Sequence, residues 1–125
     1  MKTTALALII LSGCMGSKPS GTSQDPPDGV TARELFERDV YPILATKCAG
    51  CHSSVQVGLG FMGTDVETSY ERVTEDKALV GDDFSSTDAP ILLLHDKTHQ
   101  GMLGYSAGEL VKLRNWLMAE MGERR

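Results

Sequence analysis

Apolar side chains recur at helical spacing in the first ordered stretch of the chain. The members of this face are Leu35, Phe36, Val40, Ile43 and Leu44. Thr31 and Glu34 stand in the arrangement of a capping box, which marks the start of a helix. Because Pro42 has no backbone donor, we expect the helix to break or kink near Tyr41 and to resume as a short turn that ends at Lys47.

The clearest helical pattern comes last in the chain. Its apolar face consists of Leu110, Leu113, Trp116, Leu117 and Met121. Ser106 and Glu109 form a second capping box at its start, and we expect Gly122 to end it. Arg124 and Arg125 follow, where positive charge is favourable at the C-terminal end of a helix dipole.

Shorter elements are expected between these two helices. Residues 53–64 are rich in glycine and serine and predict a loop with apolar contacts from Leu59, Phe61 and Met62. Asp65 or Thr64 can cap the helix that follows this loop. The acidic stretch 81–88 predicts turns. A short helix should come next, with Pro90 in its first turn and residues 91–94 buried. No strand-rich pattern interrupts this order.

The start of the chain carries an export signal. Residues 1–13 contain the basic Lys2, a seven-residue apolar run at 5–11 and a small-residue cleavage site. The apolar run is too short to span a bilayer as a helix. Leu11-Ser12-Gly13-Cys14 resembles the lipobox of bacterial lipoproteins. That resemblance implies that the signal is cleaved before Cys14 and that Cys14 is lipidated; an ordinary signal peptide with an incidental cysteine is the alternative.

The composition of the rest of the chain indicates a flexible linker followed by a single domain. Residues 14–29 are dominated by Gly, Ser, Pro and Asp without a periodic apolar face, which predicts a flexible linker to a domain at 30–125. The chain has only seven aromatic residues, so a bound apolar cofactor would help to complete its thin core. The net charge of −5 argues against nucleic acid as a partner and suits a basic redox partner.

Cys48-Ala49-Gly50-Cys51-His52 is the most specific motif. A Cys-x-x-Cys-His run is the signature of covalent c-type haem attachment, with two thiols for the vinyl groups and an imidazole for the iron. A thioredoxin-like site would need a βαβ context, and a disulfide between the two cysteines is a further alternative. A zinc site also stays open because His95 and His99 lie four residues apart.

The motif and the helix before it resemble a known family. Phe36–Leu44 followed by Lys47–His52 is similar to the start of small, class I-like monohaem c-type cytochrome domains of bacterial lipoproteins. The resemblance implies an all-α, cytochrome c-like fold in which the N- and C-terminal helices cross and one haem c is packed in the core. It also implies that Cys48 and Cys51 form the haem thioethers and that His52 is the proximal iron ligand.

Candidates for the second axial ligand of the haem iron follow the motif in the chain. In this family a distal methionine generally precedes the C-terminal helix, which fits Met102, and related domains often carry His-x-Gly there, which fits His99. We favour His99, with Met102 as the alternative and His95 and Met62 behind them. A vacant sixth position would instead favour binding of a diatomic gas or of peroxide.

The expected function is therefore electron transfer by a lipid-anchored, exported cytochrome on the periplasmic or outer side of a bacterial membrane. Neither a nucleophile nor a general base can be named, so an enzyme is not expected. Two other functions stay open, namely a haem-based gas or peroxide sensor and a lipoprotein interaction module without haem.

Overall fold

The computed structural model describes residues 28–53, 60–93 and 104–125. About two thirds of these residues (67%) are helical and none lies in a strand, so the predicted all-α class is confirmed for the described part of the chain. The predicted signal peptide, Cys14 and nearly all of the linker fall outside the described residues, as do residues 54–59 and 94–103.

The helices follow one another with short connections. In chain order they are α1 (Ala32–Leu35), a π-helical segment (Phe36–Val40), α2 (Tyr41–Lys47), α3 (Ala49–His52), α4 (Val66–Glu75), α5 (Lys77–Val80), α6 (Pro90–Leu93) and α7 (Ala107–Glu123). None of the described helices is both long enough and apolar enough to cross a membrane.

The predicted break or kink near Tyr41 takes the form of a widened turn without a break, because the helical path continues through Pro42. The Tyr41 N–H donates to the carbonyl of Phe36, five residues back, so the turn before the proline is widened. Pro42 then lies in the first turn of α2, where its missing N–H costs little. The predicted capping box of Thr31 and Glu34 is confirmed at the start of this helical run.

The last helix also runs further than expected. The capping box of Ser106 and Glu109 is confirmed, but α7 continues through Gly122 to Glu123. A glycine ends a helix when it adopts the left-handed conformation, and Gly122 does not adopt it. The Arg124 N–H instead closes the final turn on the carbonyl of Glu120.

The core forms where the first helical run packs on α7, and the predicted cytochrome-like crossing of these helices stays a prediction. Phe36 lies at its centre, with its ring centroid 5.4 Å from that of Trp116 and 5.2 Å from that of Tyr70. The Ala32 N–H donates to Glu123 Oε1 at 2.6 Å and joins the two helix ends. Other fully buried members of this core are Leu35, Val40, Leu44, Leu113 and Leu117.

The middle elements agree with the predicted order in most respects. Asp65 caps α4 by accepting from the Thr68 N–H, and α6 begins at Pro90 as expected. The expectation that residues 91–94 are all buried is wrong, because Leu93 is 56% exposed and Leu94 lies outside the described residues. A single helical turn points its four side chains in different directions, so they cannot all face the core.

Glu120 is a buried charge that the helical pattern did not predict. It is only 1% exposed, and it accepts from Trp116 Nε1 at 3.1 Å and from Arg124 Nε at 3.0 Å. Burial, followed by the nearby Glu120 carboxylate, raises the pKa of the Tyr70 phenol above its usual value. Glu120 thus joins the core tryptophan to the end of α7 and to α4.

We expect Glu120→Ala to lower the free energy of unfolding by about 2–4 kcal/mol, because the buried indole N–H of Trp116 loses its acceptor. Urea unfolding followed by circular dichroism measures the change. The control is Glu71→Ala, which removes an exposed carboxylate from α4 and should change stability by less than about 0.5 kcal/mol. Equal losses in the two variants would contradict this account of Glu120.

Candidate functional site

The five motif residues form one helical turn that continues the first helical run. The Cys48 N–H donates to the carbonyl of Leu44 at 2.7 Å, and the His52 N–H donates to the carbonyl of Cys48 at 2.9 Å. Because Leu44 is fully buried against the core, this turn begins at the edge of the core. The motif is therefore held by backbone hydrogen bonds at the end of a packed helix.

The two motif thiols have different environments. Cys48 is 2% exposed, whereas Cys51 is exposed to solvent, and both are free thiols. Burial is the main reason that the pKa of Cys48 rises to about 11, and the charge of Lys47 opposes that rise. Two free thiols three residues apart on one turn are what attachment to a single flat cofactor requires.

The imidazole of His52 is nearly buried under the segment that returns from the next loop. Its ring centroid lies 4.5 Å from that of Phe61, with the planes inclined by 30°. The Met62 N–H donates to the carbonyl of His52 at 3.1 Å. Phe61 and Met62 are both buried, while Leu59 lies outside the described residues, so the predicted contacts of this loop with a haem stay a prediction.

A hydrogen bond to α4 fixes this returning segment. The Gly63 N–H donates to Ser69 Oγ at 2.9 Å, and Ser69 is completely buried. A side chain at position 63 would meet Thr68 Cβ at 2.5 Å, so the close approach requires glycine. α4 therefore helps to hold Phe61 and Met62 beside His52.

The start of α7 contacts the residue that precedes the motif. Lys47 Nζ donates to the carbonyl of Gly104 at 3.2 Å and lies 3.4 Å from Glu109 Oε2. The hydroxyl of Tyr105 is buried and has no hydrogen-bond partner within the described ranges. Burial, the Cys48 thiol and the Glu109 carboxylate all raise the pKa of that phenol.

Sequence reasoning missed Tyr105 and Glu109 as neighbours of the motif. The sequence predicts a capping role for Glu109, and this role is confirmed because its carboxylate accepts from the Ser106 N–H at 2.7 Å. The same carboxylate also pairs with Lys47. The sequence signal was weak, because the two ends of the Lys47–Glu109 pair are 62 residues apart in the chain.

The structure places Cys48, Cys51 and His52 together on one turn, as the motif requires. Cys14, His95, His99 and Met102 lie outside the described residues, so lipidation and the distal ligand stay predictions.

The alternative chemistries gain no support from the described residues. Within 28–53, 60–93 and 104–125, no three His, Cys, Asp or Glu side chains are grouped as a metal ion would require. The same ranges contain no strand that would give the motif a thioredoxin-like βαβ context.

The residues around the motif fit a covalently bound haem. They supply two free thiols, an adjacent imidazole, apolar neighbours in Phe61 and Met62, and a buried hydroxyl that still needs a partner. This donor set suits a haem, because an imidazole can bind the iron while two thiols bond to the edge of the porphyrin ring.

Comparison with known proteins gives a partial similarity. Part of the chain is similar to the hydrazine synthase subunit alpha of Kuenenia stuttgartiensis, at 38% identity over 63 aligned residues. The match covers 43% of this chain, and the chain spans only 8% of the length of that relative. No family model matches the chain. No solved structure matches it.

We expect the two motif thiols to react at different rates in protein made without haem attachment and carrying Cys14→Ser. At neutral pH, iodoacetamide should label exposed Cys51 at least about tenfold faster than buried Cys48, since the thiolate is the nucleophile. Labelling of Cys48 should increase as the pH approaches 11. Peptide mass spectrometry quantifies each site, and equal rates at neutral pH would contradict the burial of Cys48.

Proposed function

We propose that this chain is an electron-transfer protein that carries one covalent c-type haem. The observation that carries the proposal is the single helical turn on which Cys48 and Cys51 present free thiols and His52 follows at once. When bound, the haem supplies a one-electron Fe(II)/Fe(III) couple. The partial similarity to a hydrazine synthase subunit is compatible with a redox role.

Different residues of the chain would hold different parts of the haem. The thiols of Cys48 and Cys51 would form the two thioether bonds, and the imidazole of His52 would bind the iron. Phe61 packs on that imidazole at 4.5 Å and restricts its orientation, which is how neighbours of a ligand tune a metal site. Buried Met62 adds to the apolar surroundings that keep water away from the imidazole.

We infer that the chain relays electrons and is not itself an enzyme. The motif residues are all used to hold the cofactor, which leaves no nucleophile or acid–base pair with an assigned role at the site. Its partners would be redox proteins, and the acidic net charge of −5 favours a basic docking surface on them.

We also propose that the protein works outside the cytoplasm, anchored by lipid at Cys14. The support is the signal-like sequence of residues 1–13 and the lipobox-like run that ends at Cys14. The linker at 14–29 would then keep the haem domain close to the membrane surface.

Protein produced together with the bacterial haem-ligation machinery should contain one covalent haem in the pyridine haemochrome assay. Cys51→Ser should retain a single thioether, and its absorption band should shift because one vinyl group stays unsaturated. Double replacement by Cys48→Ser and Cys51→Ser should leave no covalent haem. A wild-type protein without covalent haem would overturn the proposed function and favour an interaction module.

The ferric absorption spectra of His99→Ala and Met102→Ala should identify the distal ligand. We expect His99→Ala to change the spectrum and Met102→Ala to leave it close to that of the wild type. A methionine–iron charge-transfer band that disappears only in Met102→Ala would reverse the assignment. A spectrum unchanged in both variants would show that neither residue binds the iron.

A further inference from the structure

The segment Gly60–Gly63, which we call the returning segment, lies between the motif and α4. Its Phe61 packs on the imidazole of His52, with the ring centroids 4.5 Å apart. Its Met62 N–H donates to the carbonyl of His52 at 3.1 Å. How firmly Phe61 stays on the imidazole therefore depends on what else holds this segment.

A single guanidinium on α4 holds the backbone on both sides of Phe61. Arg72 Nη1 donates to the carbonyl of Gly60 at 3.2 Å and to that of Met62 at 3.3 Å. These two carbonyls belong to the residues that flank Phe61 in the chain. Hydrogen bonds from a charged donor are stronger than those between neutral groups, so this contact is well suited to keeping the Phe61 backbone in place.

The peptide unit between Met62 and Gly63 is held at both ends. Its carbonyl oxygen accepts from Arg72, and its N–H donates to Ser69 Oγ at 2.9 Å. The Ser69 hydroxyl in turn donates to the carbonyl of Asp65 at 2.7 Å, so its oxygen is left to accept from Gly63. Ser69 is completely buried, which shields this pair of hydrogen bonds from competing water.

The two side chains act from a helix that is fixed to the core. Ser69 and Arg72 are three residues apart on α4 and therefore lie on the same face of it. Val73, the next residue, is completely buried in the hydrophobic core. Because α4 is packed in this way, the returning segment is attached to a support that does not belong to the motif.

We propose that Arg72 and Ser69 are positioning residues for the imidazole of His52. By holding the backbone around Phe61, they keep its ring against the imidazole, which then cannot turn without displacing Phe61. Groups that orient a metal ligand in this way tune the metal site. The role rests on the proposed function, because it supposes that His52 binds iron, whereas every contact behind it joins described residues of the chain.

Nuclear magnetic resonance of the protein with covalent haem tests the proposal. In the ferric state, the shifts of the haem methyl groups depend on the plane of an imidazole bound to the iron. Arg72→Met keeps much of the aliphatic stem and removes the donors to the two carbonyls. We expect a narrower spread of methyl shifts, because the imidazole of His52 then samples several orientations. In the ferrous state, the nuclear Overhauser effect between the Phe61 and His52 rings should weaken.

Two arginine variants serve as matched controls. Arg72→Lys keeps the charge and a donor but lacks the planar guanidinium, so it should retain more of the wild-type methyl spread than Arg72→Met. Arg38→Met removes an exposed guanidinium that pairs with Asp39 and should leave the methyl shifts unchanged. A spread that narrows equally in Arg38→Met would contradict a specific role for Arg72.

A further control separates positioning from stability. Glu120→Ala is expected to destabilise the fold, but the Glu120 carboxylate bonds to Trp116 and Arg124 and not to the returning segment. Its methyl shifts should therefore match those of the wild type. Equal narrowing in Glu120→Ala and Arg72→Met would show that the methyl shifts follow general stability, and this would overturn the positioning role.

Ser69→Ala provides a second route to the same result. It removes the acceptor of the Gly63 N–H, so the methyl shifts should narrow as in Arg72→Met. This variant carries the test if Arg72→Met does not take up haem. Failure of both variants to take up haem while Arg38→Met takes it up would assign the α4 contacts to folding or maturation, and the positioning role would be wrong.

The remaining outcomes distinguish this inference from the proposed function. Absence of covalent haem from the wild type would overturn the proposed function and the positioning role with it. Covalent haem, with the same methyl shifts and the same contact between the Phe61 and His52 rings in wild type and Arg72→Met, would overturn only the role of Arg72.

Discussion

The packing of Phe36 against Trp116 fixes the position of everything that follows in the first helical run. Their ring centroids are 5.4 Å apart, both side chains are completely buried, and an aromatic pair of this kind contributes about 0.5–1.5 kcal/mol beyond its buried area. Because the helical path continues through Pro42, this contact also determines where Cys48 and His52 lie relative to the core. A break at the proline would have disconnected the motif from the core.

The widened turn before Pro42 is what makes this continuity possible. An ordinary α-helix would need an N–H at position 42 and would crowd the proline ring against the carbonyl four residues back. The π-helical segment Phe36–Val40 satisfies the Phe36 carbonyl with the Tyr41 N–H instead. The motif consequently starts at a defined position relative to the contact between Phe36 and Trp116. Its Cys48 thiol is buried and its Cys51 thiol is exposed to solvent.

Local chemistry was predictable from the sequence, whereas partnerships distant in the chain were not. Both capping boxes, the Asp65 cap and the helical faces follow from residue types a few positions apart, and all are observed. The behaviour of Pro42 and Gly122 depends on backbone conformations that neighbouring residues do not determine. Glu120 is buried because Trp116 and Arg124 supply donors to it, and the helical pattern alone does not reveal that.

The same distinction applies to the candidate site. The spacing of Cys48, Cys51 and His52 predicts that the three residues share one turn, which is observed, and the haem chemistry proposed for that turn follows from the same spacing. The approach of Tyr105 and Glu109 comes from the packing of α7, and the Lys47–Glu109 pair joins positions 62 residues apart in the chain. The motif therefore predicts the proposed cofactor, whereas the tertiary contacts determine the protein environment around it.

Peptide mapping of the protein made with haem-ligation machinery tests the central claim most directly. After proteolysis, tandem mass spectrometry should find a single haem-bearing peptide in which both Cys48 and Cys51 are modified and His52 is not. A peptide with free thiols at both positions, or with a disulfide between them, would contradict the proposed site.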